Sequence, residues 1–181
     1  MTRNKRLTAL VSCALLIAIE IVLSRFLSIA TPIVKIGFDF APMALAGILF
    51  GPWYGCAVGA LSDFLGANLF PIGAYWPGFT LVAGLCGLTY GLLLHNRSGA
   101  RWSRPALLAR VAVAVLIVTL PLQLGLDTMN LVFLLDKGFF VLLPGRITKA
   151  LVMIPVQFIT IHALYQFVAV PGIRLAARGQ E

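Results

Sequence analysis

The sequence predicts an all-α integral membrane protein, a bundle of six transmembrane helices with both termini on the cytoplasmic side. Three observations predict it. Of the 181 residues, 60% are hydrophobic and 11% charged, and the mean hydropathy is +0.98, whereas soluble domains run at about 45–50% apolar and about 25% charged. The apolar residues fall in runs that approach the roughly 20 residues a helix needs to cross a bilayer. The charges sit mostly between these runs or at their ends. A chain of this length cannot hide so much apolar surface from water, so its solvent is lipid. Residues 1–181 read as a single membrane domain.

The first helix covers about residues 7–26, after the basic segment Thr2–Arg6. Its apolar run exceeds a secretory h-region and no small-residue cleavage site follows cleanly, so it reads as a retained helix. The second covers 40–50 and stops at Gly51-Pro52, where proline breaks the pattern. That run is short for a crossing, which implies an earlier start or an irregular part. The third covers 53–69 and the fourth 78–94. Pro105 opens the fifth, which continues to 126, and the sixth covers 145–168 with a kink at Pro155.

Orientation follows from the basic residues near helix ends. With the N-terminus inside, the cytoplasmic segments carry Arg3, Lys5, Arg6, Arg97, Arg101, Arg104, Arg110, Arg174 and Arg178. The outer side carries Arg25, Lys35, Lys137, Arg146 and Lys149. The reverse topology would place the basic His95–Arg104 loop outside. Six crossings then return the C-terminus to the inside. The excess of fourteen Lys and Arg over six Asp and Glu therefore reads as topology and not as a nucleic-acid surface.

Small residues recur where helices should meet. Gly47, Gly51, Gly55 and Gly59 are spaced by four, Gly84, Gly87 and Gly91 mark the fourth helix, and Ala14 and Ala18 mark the first. In lipid, small-xxx-small faces let backbones approach closely. The glycines read as packing within the bundle, whereas the Ala14/Ala18 face also suits a separate protein. Cys13, Cys56 and Cys86 stand alone in apolar stretches and read as small packing residues, with neither zinc site nor disulfide framework.

No enzyme signature is present, and no catalytic or metal-ligating residue is assigned. The chain lacks the glycine-rich phosphate loop and the His-Glu-x-x-His motif. His95 reads as a helix cap and His162 as a hydrogen-bonding group in the bundle. No cofactor is implied.

The outer segments carry more. The connection Phe70–Gly78 holds Phe70, Tyr75 and Trp76 with two prolines, two glycines and no charge. It reads either as an interfacial aromatic belt or as a lid over a ligand cavity. Ionisable residues within membrane helices are costly and default to functional hypotheses. Asp63 lies in the third helix, Glu20 and Arg25 in the first. Arg146 and Lys149, three apart, share a face near the outer end of the sixth. Two roles are open to these cations: internal ion pairs with Asp63 or Asp127, or an anion site where guanidinium grips a carboxylate and ammonium adds a point charge. For Asp63 the structural pair is the favoured role.

The stretches Phe38–Pro52, Gly59–Gly66 and Phe70–Thr80 resemble the substrate-binding S components of energy-coupling factor (ECF) vitamin transporters, and with Ser24-Arg25-Phe26 they resemble its folate branch. The resemblance covers nearly the whole chain. It implies a multi-pass protein of a prokaryotic plasma membrane that captures folate at the outer face. It implies partners too: a transmembrane coupling protein and two ATPase subunits, which drive release inside, with no nucleic acid involved. The coupling protein is expected on the Ala14/Ala18 face. For folate, Phe38, Phe70, Tyr75 and Trp76 are the expected ring contacts, and Arg25, Arg146 and Lys149 the contacts to the anionic tail. Asn68, Gln123 or Asn130 would bond the pterin edge. Another vitamin, a stand-alone carrier or a membrane scaffold are the alternatives.

Overall fold

The structure, a computed structural model, describes residues 3–30, 35–71, 74–96, 102–136 and 138–169. Arg97, Arg101, Arg174, Arg178 and Lys137, on which the expected orientation partly rests, lie outside the described residues, as do Ile72 and Gly73 of the aromatic connection.

Six helices form among the described residues. They are α1 (Arg3–Arg25), α2 (Phe40–Phe50), α3 (Pro52–Leu69), α4 (Pro77–Leu94), α5 (Arg104–Leu135) and α6 (Phe139–Leu164). A minimal antiparallel ladder, β1 (Ile29–Ala30) on β2 (Lys35–Ile36), lies between α1 and α2. Four helical spans, Leu7–Arg25, Pro77–Leu94, Arg104–Leu135 and Phe139–Phe167, are long and apolar enough to cross a membrane.

Sequence punctuation sets most helix ends. Gly51 sits at φ 108° between α2 and α3, a conformation that suits glycine, and Pro52 then opens α3 where its missing N–H costs nothing. Pro77 opens α4 and Pro105 lies at the start of α5 in the same way. α1 starts earlier than expected, at Arg3, and two further bounds differ more from the sequence expectation. α5 runs on to Leu135, passing through a wider π-helical stretch at Val118–Leu126 that contains Pro121. α6 begins at Phe139 and absorbs Pro144 within its body. Neither proline ends its helix, because packed neighbours and wider turns re-satisfy the backbone in membrane helices.

The tightest joint is built from glycine. Gly55 of α3 and Gly87 of α4 lie so close that a Cβ on either would strike the carbonyl of the other. Gly91 rests on Pro52, Gly59 on the Ala83 carbonyl, and Gly47 of α2 on Gly91. Backbone thus meets backbone across α2, α3 and α4, the close approach that replaces hydrophobic driving force in lipid. Around it gather buried Met43, Val58, Cys86, Tyr90 and Leu94. α1 buries Ala9, Cys13, Leu16, Glu20 and Ser24 and exposes the opposite face, with Leu7, Leu10, Val11, Ala14, Leu15 and Ala18. His95 ends α4 with its ring Nδ1 2.9 Å from the Ile48 carbonyl, and His162 lies 2.7 Å from the Gln166 amide.

The glycine joint gives a direct test. Gly87→Val places a branched side chain against the Gly55 backbone, which has no rotamer to yield. Overpacking of this kind costs about 1–3 kcal/mol where side chains can move, and more is expected here. Thermal unfolding in detergent should show a large loss of stability. A wild-type melting curve would contradict the contact.

Candidate functional site

The alternation of helices brings the end of α1, the start of α2, the end of α3, the start of α4, the later half of α5 and the earlier half of α6 to one end of the bundle. There they enclose a cavity of about 290 Å³. Its wall includes Arg25, Lys35, Asp39, Asp63, Asp127, Arg146 and Lys149, with Tyr75 and Trp76 among the aromatics and Phe40, Met43, Val82, Cys86 and Met153 among the apolar groups.

Four cations and three carboxylates share this space, and they pair across elements. Arg25 Nη2 lies 3.9 Å from Asp63 Oδ1, joining α1 to α3. Glycine permits this pair: a Cβ at Gly66 would press on the Arg25 guanidinium at 2.9 Å. Asp63 also accepts from the Thr80 hydroxyl of α4 at 2.7 Å. Arg146, 6% exposed, lies 3.5 Å from Asp127 and donates to the Gln123 carbonyl at 2.6 Å, joining α6 to α5. Lys35 donates to Asp39 at 2.7 Å. Burial alone would raise the Asp39 carboxyl, but the charge and hydrogen bond of Lys35, with the charge of Lys149, hold it below its ordinary value. Its folded pKa thus lies below the unfolded one, so this group stabilises the fold at neutral pH and that contribution fades as pH falls through the carboxylate range. Lys149 lines the cavity without a hydrogen bond or salt bridge among the described residues.

The aromatic connection is anchored as well as exposed. Trp76 Nε1 donates to Asn130 Oδ1 at 3.2 Å and its ring stacks on Phe133 with centroids 6.5 Å apart. Tyr75 OH lies 3.1 Å from the Thr80 hydroxyl. The segment is therefore tied to α4 and α5 at the mouth of the cavity.

Of the residues singled out from sequence, Arg25, Tyr75, Trp76, Gln123, Arg146 and Lys149 line this one space. Phe38, Asn68, Phe70 and Asn130 do not. The ring of Phe38 is half-exposed and leans on Phe40, which takes the place at the cavity wall. Asn68 turns back to donate to the Phe64 carbonyl on the exposed side. Phe70 packs edge-on against Phe26 at 5.2 Å. Asn130 lies one step behind the wall, holding Trp76. Sequence reasoning missed Phe40, Met43, Cys86, Met153 and Gln157. An amide in the middle of an apolar span was the signal available for Gln157; the others look like ordinary helix residues.

The internal pairs predict how stability responds. Asp127→Leu should cost on the order of 3 kcal/mol by leaving the Arg146 charge buried without its counter-ion. Adding Arg146→Met should return part of that loss, as a coupled pair requires. Strictly additive losses in thermal unfolding would show that the two side chains do not support each other.

Comparisons with known proteins agree on one relationship. The model of the family "ECF transporter, substrate-specific component" matches residues 8–165. The chain is similar to the Folate transporter FolT of Clostridium novyi (strain NT), 40% identical over 164 residues that span 91% of each protein. It is also 32% identical over 149 residues to the Folate transporter FolT of Leuconostoc mesenteroides, covering 80% of this chain and 77% of that one. Among solved structures, a crystal structure of FolT bound with folic acid superposes with a TM-score of 0.76 at 31% identity, covering 91% of this chain and 93% of the other.

Proposed function

The chain belongs to the ECF transporter substrate-specific components, and on that premise we propose that it captures folate at the outer face of the plasma membrane for ATP-driven uptake. It is a transporter subunit and not an enzyme. The observation that carries the choice of ligand is the charge pattern of the cavity. Three carboxylates have three cations beside them, and Lys149 adds a fourth without a salt-bridge partner among the described residues.

Folate joins a flat pterin to an aminobenzoyl ring and a glutamate with two carboxylates. Lys149 is the natural first contact for that tail, with Arg25 and Arg146 adding positive field from within their pairs. Tyr75 and Trp76 cover the aromatic part from the mouth, and Phe40 faces it from α2. Lys149 offsets one of the two tail carboxylates at the cost of little rearrangement, since the internal pairs need not break.

The cavity end of the bundle is the outer one in this reading. The opposite end, with Arg104 and Arg110, the start of α1 and the end of α6, is cytoplasmic by the positive-inside rule. ATP hydrolysis and coupling belong to other chains, a transmembrane coupling protein and two ATPases. Ala14 and Ala18 are exposed on the outer face of α1, flat enough for a partner helix to approach.

Two measurements test this reading. Lys149→Ala should weaken folate binding by about tenfold or more, the worth of one charge-assisted hydrogen bond, with folding intact. Unchanged affinity in a titration of the purified variant would sink the assignment. Ala14→Trp should keep folate binding while losing co-purification with the coupling protein and ATP-dependent uptake. Joint loss of binding and stability would instead make this face part of the bundle's own packing.

A further inference from the structure

Deeper along α6 than the charged side chains, the cavity lining includes a buried neutral amide. Gln157 of α6 lines the cavity, yet its side chain is fully buried. Its Oε1 accepts two hydrogen bonds, from Tyr90 OH of α4 at 3.2 Å and from Thr119 Oγ1 of α5 at 3.1 Å. Both donors are themselves buried, Tyr90 at 0% and Thr119 at 1% exposure. Its Nε2 has no hydrogen-bond partner among the described residues.

Two hydroxyls from two helices hold the carbonyl, and the planar amide then turns its NH2 away from both. A buried amide donor without a partner is costly, and native structures rarely keep one without use. The residue that carries it is part of the lining of a ligand-sized space. Gln157 lies eight residues beyond Lys149 on the same helix, about 12 Å deeper at 1.5 Å per residue. Met153 stands between them on α6, and Met43 and Cys86 line the same cavity.

We propose that Gln157 is a specificity-determining residue at the floor of the cavity, donating its held amide N–H to an acceptor on the innermost ring of the ligand. This rests on the reading of the function above: the anionic tail stays with Lys149 and the pterin, whose carbonyl oxygen and ring nitrogens are acceptors, enters first. Tyr90 and Thr119 are positioning residues, because their hydroxyls hold the amide oxygen and leave the NH2 as the group available to a ligand. A ligand whose inner end is wholly apolar leaves the N–H unpaired and is rejected.

The test compares folate with p-aminobenzoylglutamate, which has the same tail and no pterin, in binding titrations on the purified protein. Gln157→Met removes the donor at similar size. Gln157→Glu keeps an acceptor for Tyr90 and Thr119 and replaces the NH2 by oxygen, so it guards against a folding defect in the first variant. Both should lose tenfold or more in folate affinity with p-aminobenzoylglutamate affinity unchanged, whereas Lys149→Ala should weaken both ligands. Wild-type folate affinity in a folded Gln157 variant overturns the proposal, as does an equal loss for the two ligands, which marks a scaffold role. Failure of the wild-type protein to bind folate at all would overturn the functional reading instead.

Discussion

The contact of α3 on α4 is made by main chain against main chain, and the rest of the bundle is placed by it. Lipid offers no hydrophobic force to press these helices together, so the gain has to come from many close van der Waals contacts. Gly55, Gly59, Gly87 and Gly91 provide them by having nothing to keep the axes apart. The same joint brings the end of α3 beside the start of α4, which is why Asp63 reaches the Thr80 hydroxyl at 2.7 Å. Gly66, one helical turn from Asp63, then leaves the space that the Arg25 guanidinium occupies. Packing at the centre and charge pairing at the cavity are in this sense one design.

The pairs themselves tie helices that also pack side by side. Arg25–Asp63 links α1 to α3, and Arg146–Asp127 links α6 to α5. A charge within a membrane helix is expensive, and a paired one is acceptable when additional bonds satisfy it. Arg146 meets that condition through the Gln123 carbonyl as well as Asp127. Gln123 lies in the π-helical stretch of α5, next to Pro121, where departures from α-helical bonding recur at functional sites. The irregular stretch and the arginine therefore belong together.

The class of fold was legible because composition and run length are global properties that no single side chain can overturn. The glycine joint was legible for a similar reason, since spacing by four is a property of the helix itself. The ends of α5 and α6 were not: the expected fifth helix stops at 126, just before Asp127, and the expected sixth starts at 145, just after Pro144, and only neighbouring helices show that a charge and a proline are tolerated there. At the cavity, charge was a good guide: Arg25, Arg146 and Lys149 stand out in an apolar chain, and all three line it. Aromatic character was a poorer one. Phe38 and Phe40 differ by two positions, and nothing in either residue says which of them meets the cavity. Met43, Cys86 and Met153 are indistinguishable in sequence from any apolar helix residue until three helices are assembled around them.

α1 carries both a cavity residue and the face assigned to a partner, and its geometry keeps the two apart. Arg25 closes the helix at the cavity end, while Ala14 lies eleven residues earlier, about 16 Å along the axis. The buried stripe Ala9, Cys13, Leu16, Glu20 and Ser24 faces α2 and α3, and the alanines lie on the other side. A substitution at Ala14 therefore has no direct path to the cavity wall through side-chain contact. A movement of α1 as a whole has one, because Arg25 is fixed to Asp63 and Asp63 to Thr80. In the proposed function, capture of a ligand and docking of a partner thus use different faces of one helix, whose cavity end Arg25 ties to Asp63.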